Sequence, residues 1–67
     1  MNKQELVRSM IQASGGSRFI TKAELVRFMG LSNQRYVAKY VQGLDRVDGK
    51  RYFIPDVAER IIGRVER

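Results

Sequence analysis

Amide and basic side chains near the middle of the chain have the types and spacing to do chemistry. They face away from the apolar stripe of a predicted helix, together with one alanine, and the whole set is Asn33, Gln34, Arg35, Ala38, Lys39 and Gln42. Arginine can bond guanine bidentately, and asparagine or glutamine can bond adenine in the same way, so this set is suited to reading base edges. Asn33 and Gln34 equally fit ordinary polar residues of a first helical turn. A surface ion pair explains Arg35 less well, because no acid lies three or four positions away on its helix.

A second basic group lies in the stretch DRVDGKRYF, where three cations surround a predicted turn: Arg46, Lys50 and Arg51. The pair Asp48-Gly49 is typical of the two-residue type I′ turn of a β-hairpin. This turn predicts that Arg46 lies opposite Arg51, a like-charge pair that is unfavourable unless an anion is nearby. The spacing therefore predicts a hairpin tip that contacts phosphate groups or enters the minor groove of DNA.

The composition argues against catalysis and against bound metals or cofactors. The chain has no Cys and no His, which removes disulfides, thiolate ligands, the commonest general base and the commonest metal ligand. No nucleophile is paired with a base, and no phosphate-cradling or metal-binding spacing is found. We therefore expect no enzyme activity, no cofactor and no metal site.

Positive charge is concentrated in the middle of the chain. Eight basic and three acidic residues lie from Arg18 to Arg51, and the net charge of all 67 residues is +6. Such clustering predicts a polyanionic partner, nucleic acid before membrane, and the alternative is a solvated basic surface. The charged N-terminal stretch lacks the apolar core of a signal peptide, so a cytoplasmic location, nucleoid-associated when bound, is expected.

The first part of the chain predicts a helix and a short strand. Residues 2–14 carry apolar side chains at helical spacing, at Leu6, Val7, Met10 and Ile11. A Gly-Gly pair then ends this helix. The β-prone segment RFI, residues 18–20, predicts a brief strand.

A helix-turn-helix is predicted next. Thr21 and Glu24 have the spacing of a capping box, which starts a helix that ends at Gly30. Ser32 is placed to cap a second helix over residues 33–43. Two short helices joined by a glycine-containing turn are typical of this motif.

Four side chains beside this motif are further candidates for phosphate contacts: Thr21, Lys22, Ser32 and Tyr36. Tyr36 also lines the apolar stripe of the second helix together with Tyr40, and this position favours a core role for both rings. Both interpretations of Tyr36 stay open at this point.

The last predicted element is a helix with the sequence IPDVAERIIGRVE. Pro55 suits the first turn of this helix. The side chains expected to face the core are Val57, Ile61 and Val65. The predicted fold class is α+β and mainly helical, in a single domain over residues 1–67. We expect a winged helix-turn-helix with a small β-hairpin wing, an extra N-terminal helix and a C-terminal helix.

A series of short motifs runs from Ile20 to Ile62: Thr21, Gly30-Leu31-Ser32, Gly43-Leu44, Gly49, Lys50-Arg51-Tyr52-Phe53-Ile54-Pro55 and Asp56-Val57. In order and spacing they resemble the excisionase and MerR-like winged-helix family of bacteria, phages and mobile elements. The helix over residues 2–14 lies outside that pattern. Phe53 stands where the family usually carries a polar or basic residue, which predicts packing against Phe19 or the extra helix, or else stacking on a sugar or base.

The resemblance implies sequence-specific binding of double-stranded DNA, most concretely by an excisionase-like recombination directionality factor that helps to recruit an integrase. The alternative is a small transcriptional regulator with the same DNA contacts. A further alternative, from a different class of function, is a protein–protein interaction module built on a winged-helix scaffold. A lone module makes few base contacts, so we also expect cooperative self-association on DNA through residues 2–14 or the basic tail: Arg60, Arg64 and Arg67.

Overall fold

A computed structural model describes residues 2–65, with side chains up to residue 63. These residues form four α-helices and a three-stranded antiparallel sheet. In chain order the elements are α1 (Lys3–Ala13), β1 (Phe19–Thr21), α2 (Lys22–Met29), α3 (Ala38–Val41), β2 (Arg46–Val47), β3 (Arg51–Phe53) and α4 (Ile54–Val65). A 3₁₀ turn over Gln34–Tyr36 precedes α3. The predicted α+β, mainly helical class is confirmed.

The first helix and strand lie where the sequence predicts them, to within one residue. Asn2 begins α1, because its side-chain oxygen accepts a hydrogen bond from the Glu5 backbone N–H at 2.8 Å. After α1, the Ser14 hydroxyl donates to the Ser17 carbonyl oxygen at 2.7 Å and holds the loop that leads into β1.

The capping box at the start of α2 is also confirmed. The Thr21 backbone N–H donates to Glu24 Oε1 at 2.9 Å, and the Glu24 N–H donates to Thr21 Oγ1 at 3.1 Å. Gly30 ends the helix with a φ of 69°, which a residue with a side chain adopts at a cost. Local side-chain chemistry therefore sets both ends of α2.

The predicted continuous helix over residues 33–43 is wrong. Asn33, and not Ser32, caps this segment, since its Oδ1 accepts from the Arg35 N–H at 3.0 Å. The 3₁₀ turn follows, and α3 itself has four residues. Tyrosine and β-branched valine are weak helix formers, so local preference does not impose a long helix. Burial of Val37 and Val41 in the core determines the path of the backbone instead.

The predicted register of the hairpin is wrong by one residue. Asp48 and Gly49 have the positive φ values, 50° and 78°, that a type I′ turn requires. However, Val47 lies opposite Arg51 and Arg46 lies opposite Tyr52, so the expected like-charge pair does not form. The shift avoids placing two like charges directly opposite each other, and it puts Arg46 on the same face as Tyr52, which faces the core and pairs with the buried Ile20 of β1.

The sheet has the strand order β1-β3-β2, and helices cover its inner face. One core cluster joins all layers: Leu6, Met10, Ile20, Leu25, Val37, Val41, Tyr52, Ile54, Val57, Ala58 and Ile61. Helix α1 packs against α4, so the extra N-terminal helix completes this core. Val57 and Ile61 face inward as predicted, whereas the side chain of Val65 lies outside the described residues.

On the outer face of the sheet, Phe53 packs against Phe19 with ring centroids 5.5 Å apart, which confirms the predicted packing. Both residues stay partly accessible to solvent, because this side of β1 and β3 carries no helix. Within residues 2–65, no helix combines the length and apolar character needed to cross a membrane.

Candidate nucleic-acid interface

An open groove of about 600 Å³ lies between the start of α2, the 3₁₀–α3 segment and β2. Four of its lining residues are basic: Lys22, Arg35, Lys39 and Arg46. The polar and small side chains of Gln42 and Ala38 line the same surface. Most of the residues predicted to read bases thus lie on one concave surface.

A second groove of about 370 Å³ adjoins the first, between the start of α2 and the hairpin tip. It adds Lys50, Gln34 and Thr21 to the surface. Lys22, Arg46 and Tyr52 line both grooves and mark their junction. We call the two together the basic groove.

Local chemistry and sheet register bring the cations together from separate parts of the chain. Lys22 is the first residue of α2, so the capping box fixes its position. Arg46 reaches the basic groove because it pairs with Tyr52, whose side chain points to the inner face of the sheet. Because Val47 pairs with Arg51, Lys50 joins Asp48 and Gly49 in the hairpin loop. It lines the side of the groove opposite α2.

The electrostatics of the basic groove favour an anionic occupant. Five cations line it, and none of the described residues in its lining is acidic. Like charges that share a concave surface raise the energy of the free protein and focus a positive potential into the groove. A polyanion that enters the groove relieves this repulsion and releases its own counterions.

Three predicted contact residues of the segment before α3 lie outside the basic groove: Ser32, Asn33 and Tyr36. The side-chain oxygen of Asn33 already accepts one hydrogen bond as a helix cap, which leaves its amide NH₂ and one oxygen lone pair for a partner. The predicted core role of Tyr36 is wrong, because this side chain is 46% exposed and stacks under the Arg35 guanidinium at 5.5 Å. Tyr40 is half-buried and packs against the core.

Arg51 lies on the outer face of the sheet, away from Arg46 and Lys50. Its Nη2 lies 2.6 Å from Asp48 Oδ2, and its guanidinium carbon lies 6.0 Å from the centre of the Phe19 ring. The hydrogen bond from Arg51 lowers the pKa of Asp48, and the same contact raises the pKa of Arg51. The structure therefore does not place the three hairpin cations on one surface.

The sequence interpretation missed the positions of two residues at this site. Tyr52 is the buried residue at the junction of the two grooves, and the alternation of β3 is the signal that could have located it. Arg60 of α4 donates from Nη1 to the Gln42 carbonyl oxygen at 2.7 Å and so holds the end of α3. Arg60 was predicted to serve self-association, and no local pattern predicts a contact across 18 residues. Arg64 and Arg67 lie outside the described side chains.

What the basic groove can bind follows from its own chemistry. Its donors are guanidinium, ammonium, amide and hydroxyl groups, which suit phosphate and base edges. Among the described residues, no group of His, Cys, Asp and Glu side chains could hold a metal ion. In comparisons with known proteins, the chain matches no protein-family model, no curated protein and no solved structure.

Proposed function

We propose that this chain binds double-stranded DNA through the basic groove, as a winged helix-turn-helix protein. The observation that carries the proposal is the convergence of five cations from α2, the 3₁₀–α3 segment and the hairpin onto one acid-free surface. The element order of helix, turn, helix, hairpin and closing helix is consistent with that layout.

In this proposal the 3₁₀–α3 segment faces base edges in the major groove of DNA. Arg35 bonds guanine, while Gln34 and Gln42 supply amides that suit adenine. Ala38 offers a methyl group and little bulk, which permits close approach to a thymine methyl. Lys39 lies one turn beyond Arg35 and reaches either a base or a phosphate.

The hairpin and the start of α2 then contact the phosphate backbone on either side. Arg46 and Lys50 act from the hairpin, and Lys22 acts from α2. These contacts fix the position of the protein on the duplex, whereas the side chains before and within α3 provide sequence preference. A single module of this kind buries on the order of 600–1,000 Å² of protein surface, so we also propose cooperative loading on adjacent sites.

We propose that the protein acts in the cell as an excisionase-like recombination directionality factor, with an integrase as its partner. This part rests on the motifs from Ile20 to Ile62. A transcriptional regulator would use the same DNA contacts. A recombinase gene beside the gene for this chain would favour the first output, and retention of that recombinase by this protein on a duplex from the locus would distinguish the two.

The test of DNA binding is a salt titration. A labelled random duplex and the best duplex from a randomised-site selection are each titrated with protein, and fluorescence anisotropy is read at several KCl concentrations. The three cations assigned to the phosphate backbone predict that log K falls with log[KCl] with a slope of about −2.7, or about −3.6 if Lys39 also contacts a phosphate. Binding without salt dependence, or no binding to either duplex, would contradict the proposal and favour a protein-interaction module.

A further inference from the structure

Tyr52 combines burial with an unused polar group. Its side chain is 4% exposed, and it is the residue of β3 that faces the core. It pairs with Ile20 on one side and with Arg46 on the other. Phenylalanine would fill the same space in a core of this kind, so packing alone does not account for the hydroxyl.

The hydroxyl of Tyr52 has access to the basic groove. The structure records no hydrogen bond to this hydroxyl within the part of the chain that it describes. Over the same residues, no buried side-chain oxygen or nitrogen lacks a partner, so the hydroxyl must keep contact with solvent. The solvent that borders Tyr52 is that of the two adjoining grooves, at the point where they meet.

We propose that the Tyr52 hydroxyl, Lys22 and Arg46 form a binding site for one phosphodiester group of the DNA backbone. This inference rests on the proposed function and deepens it, because it assigns one phosphate to one place in the groove. These three residues are the ones that line both grooves. The two cations neutralise the phosphate, and the hydroxyl donates a hydrogen bond to a non-bridging oxygen.

The rigidity of Tyr52 makes this phosphate site different from contacts by surface lysines. A long exposed side chain loses rotamer freedom when it binds, whereas the ring of Tyr52 is already held by the core. The position of its hydroxyl oxygen beside the groove is therefore set before DNA arrives. We infer that this phosphate fixes the register of the protein on the duplex.

The test is the single-atom change Tyr52→Phe, with Tyr40→Phe as the matched control. Tyr40 loses the same atom but lines neither groove. A hydrogen bond to a charged group predicts that Tyr52→Phe weakens duplex binding about tenfold. Because no charge is removed, the salt slope stays at the wild-type value. The thermal midpoint also stays unchanged, because none of the described residues bonds this hydroxyl in the free protein.

Duplexes with a single neutral methylphosphonate linkage locate the phosphate. We expect one linkage at which wild-type protein loses affinity and Tyr52→Phe loses clearly less, because the two changes remove the same contact.

If wild-type protein binds duplex but Tyr52→Phe binds equally well, the phosphate site is wrong and DNA binding stands. A fall in thermal midpoint that accompanies the loss of binding would assign the hydroxyl to stability and also overturn the site. Failure of wild-type protein to bind duplex is a different outcome, which refutes the proposed function itself.

Discussion

Arg46 and Arg51 offer a direct test of the hairpin register, because the two arginines flank the same turn and the structure places them on opposite faces. Arg46 lines the basic groove, and Arg51 is paired with Asp48 on the outer face. Replacing either one by glutamine removes one positive charge from the hairpin. If only the basic groove contacts DNA, the two variants differ in their salt dependence although they are identical in net charge.

The expected magnitudes follow from the three groove cations assigned to phosphates, which are Lys22, Arg46 and Lys50. At about 0.9 per phosphate contact, the wild-type slope is about −2.7, and Arg46→Gln changes it to about −1.8. Between 50 and 200 mM KCl, wild-type affinity then falls about 40-fold, and the affinity of Arg46→Gln falls about 12-fold. Arg51→Gln keeps the wild-type slope, because its charge is already matched by Asp48 at 2.6 Å.

The assay is fluorescence anisotropy with one labelled duplex at six or more KCl concentrations for each variant. The double variant Asp48→Asn with Arg51→Gln removes the outer ion pair without changing net charge, so it controls for the carboxylate that Arg51→Gln leaves unpaired. Equal slopes for Arg46→Gln and Arg51→Gln would refute the reasoning. Slopes lowered equally would indicate that both arginines contact phosphate, as the two-residue loop register predicts from sequence, and two slopes at the wild-type value would indicate that neither does.

Three further predictions concern stability and titration. Met10→Ala lowers the free energy of unfolding by about 3 kcal/mol in urea denaturation, because Met10 is fully buried where α1 meets the core; an unchanged midpoint would mean that α1 folds separately. Thr21→Ala removes the cap of α2 and costs about 1 kcal/mol in the same assay, with Ala23→Ser as an exposed control. The Arg51 hydrogen bond lowers the pKa of Asp48 below its ordinary value of 3.8, so its stabilising contribution is present above pH 3.8 and is lost as pH falls through the lower, folded pKa. An NMR titration of the Asp48 carboxyl measures this pKa, which should rise in Arg51→Gln because the side-chain hydrogen bond that lowers it is removed.

Local sequence patterns correctly predicted the features that depend on neighbours within a few positions. The capping box of Thr21 and Glu24, the left-handed Gly30 and the positive φ values at Asp48 and Gly49 are all correct as predicted. Each is decided by a side chain that reaches its own backbone, or by the steric freedom of one residue. The mainly helical class and the concentration of positive charge follow for the same reason, since composition and periodicity are visible along the chain.

Only the tertiary structure decided which cations share a surface. The turn residues alone favoured Arg46 opposite Arg51, but in the structure Arg46 lies opposite Tyr52, which is buried against Ile20 of a distant strand. Side chains alternate between the two faces of a strand, so burial of Tyr52 sends Arg51 to the outer face, and the one-residue shift puts Arg46 on the inner face beside Tyr52. The shift also avoids placing two like charges directly opposite each other. A pattern read along the chain cannot weigh that burial, because the partner that provides it lies more than thirty residues away.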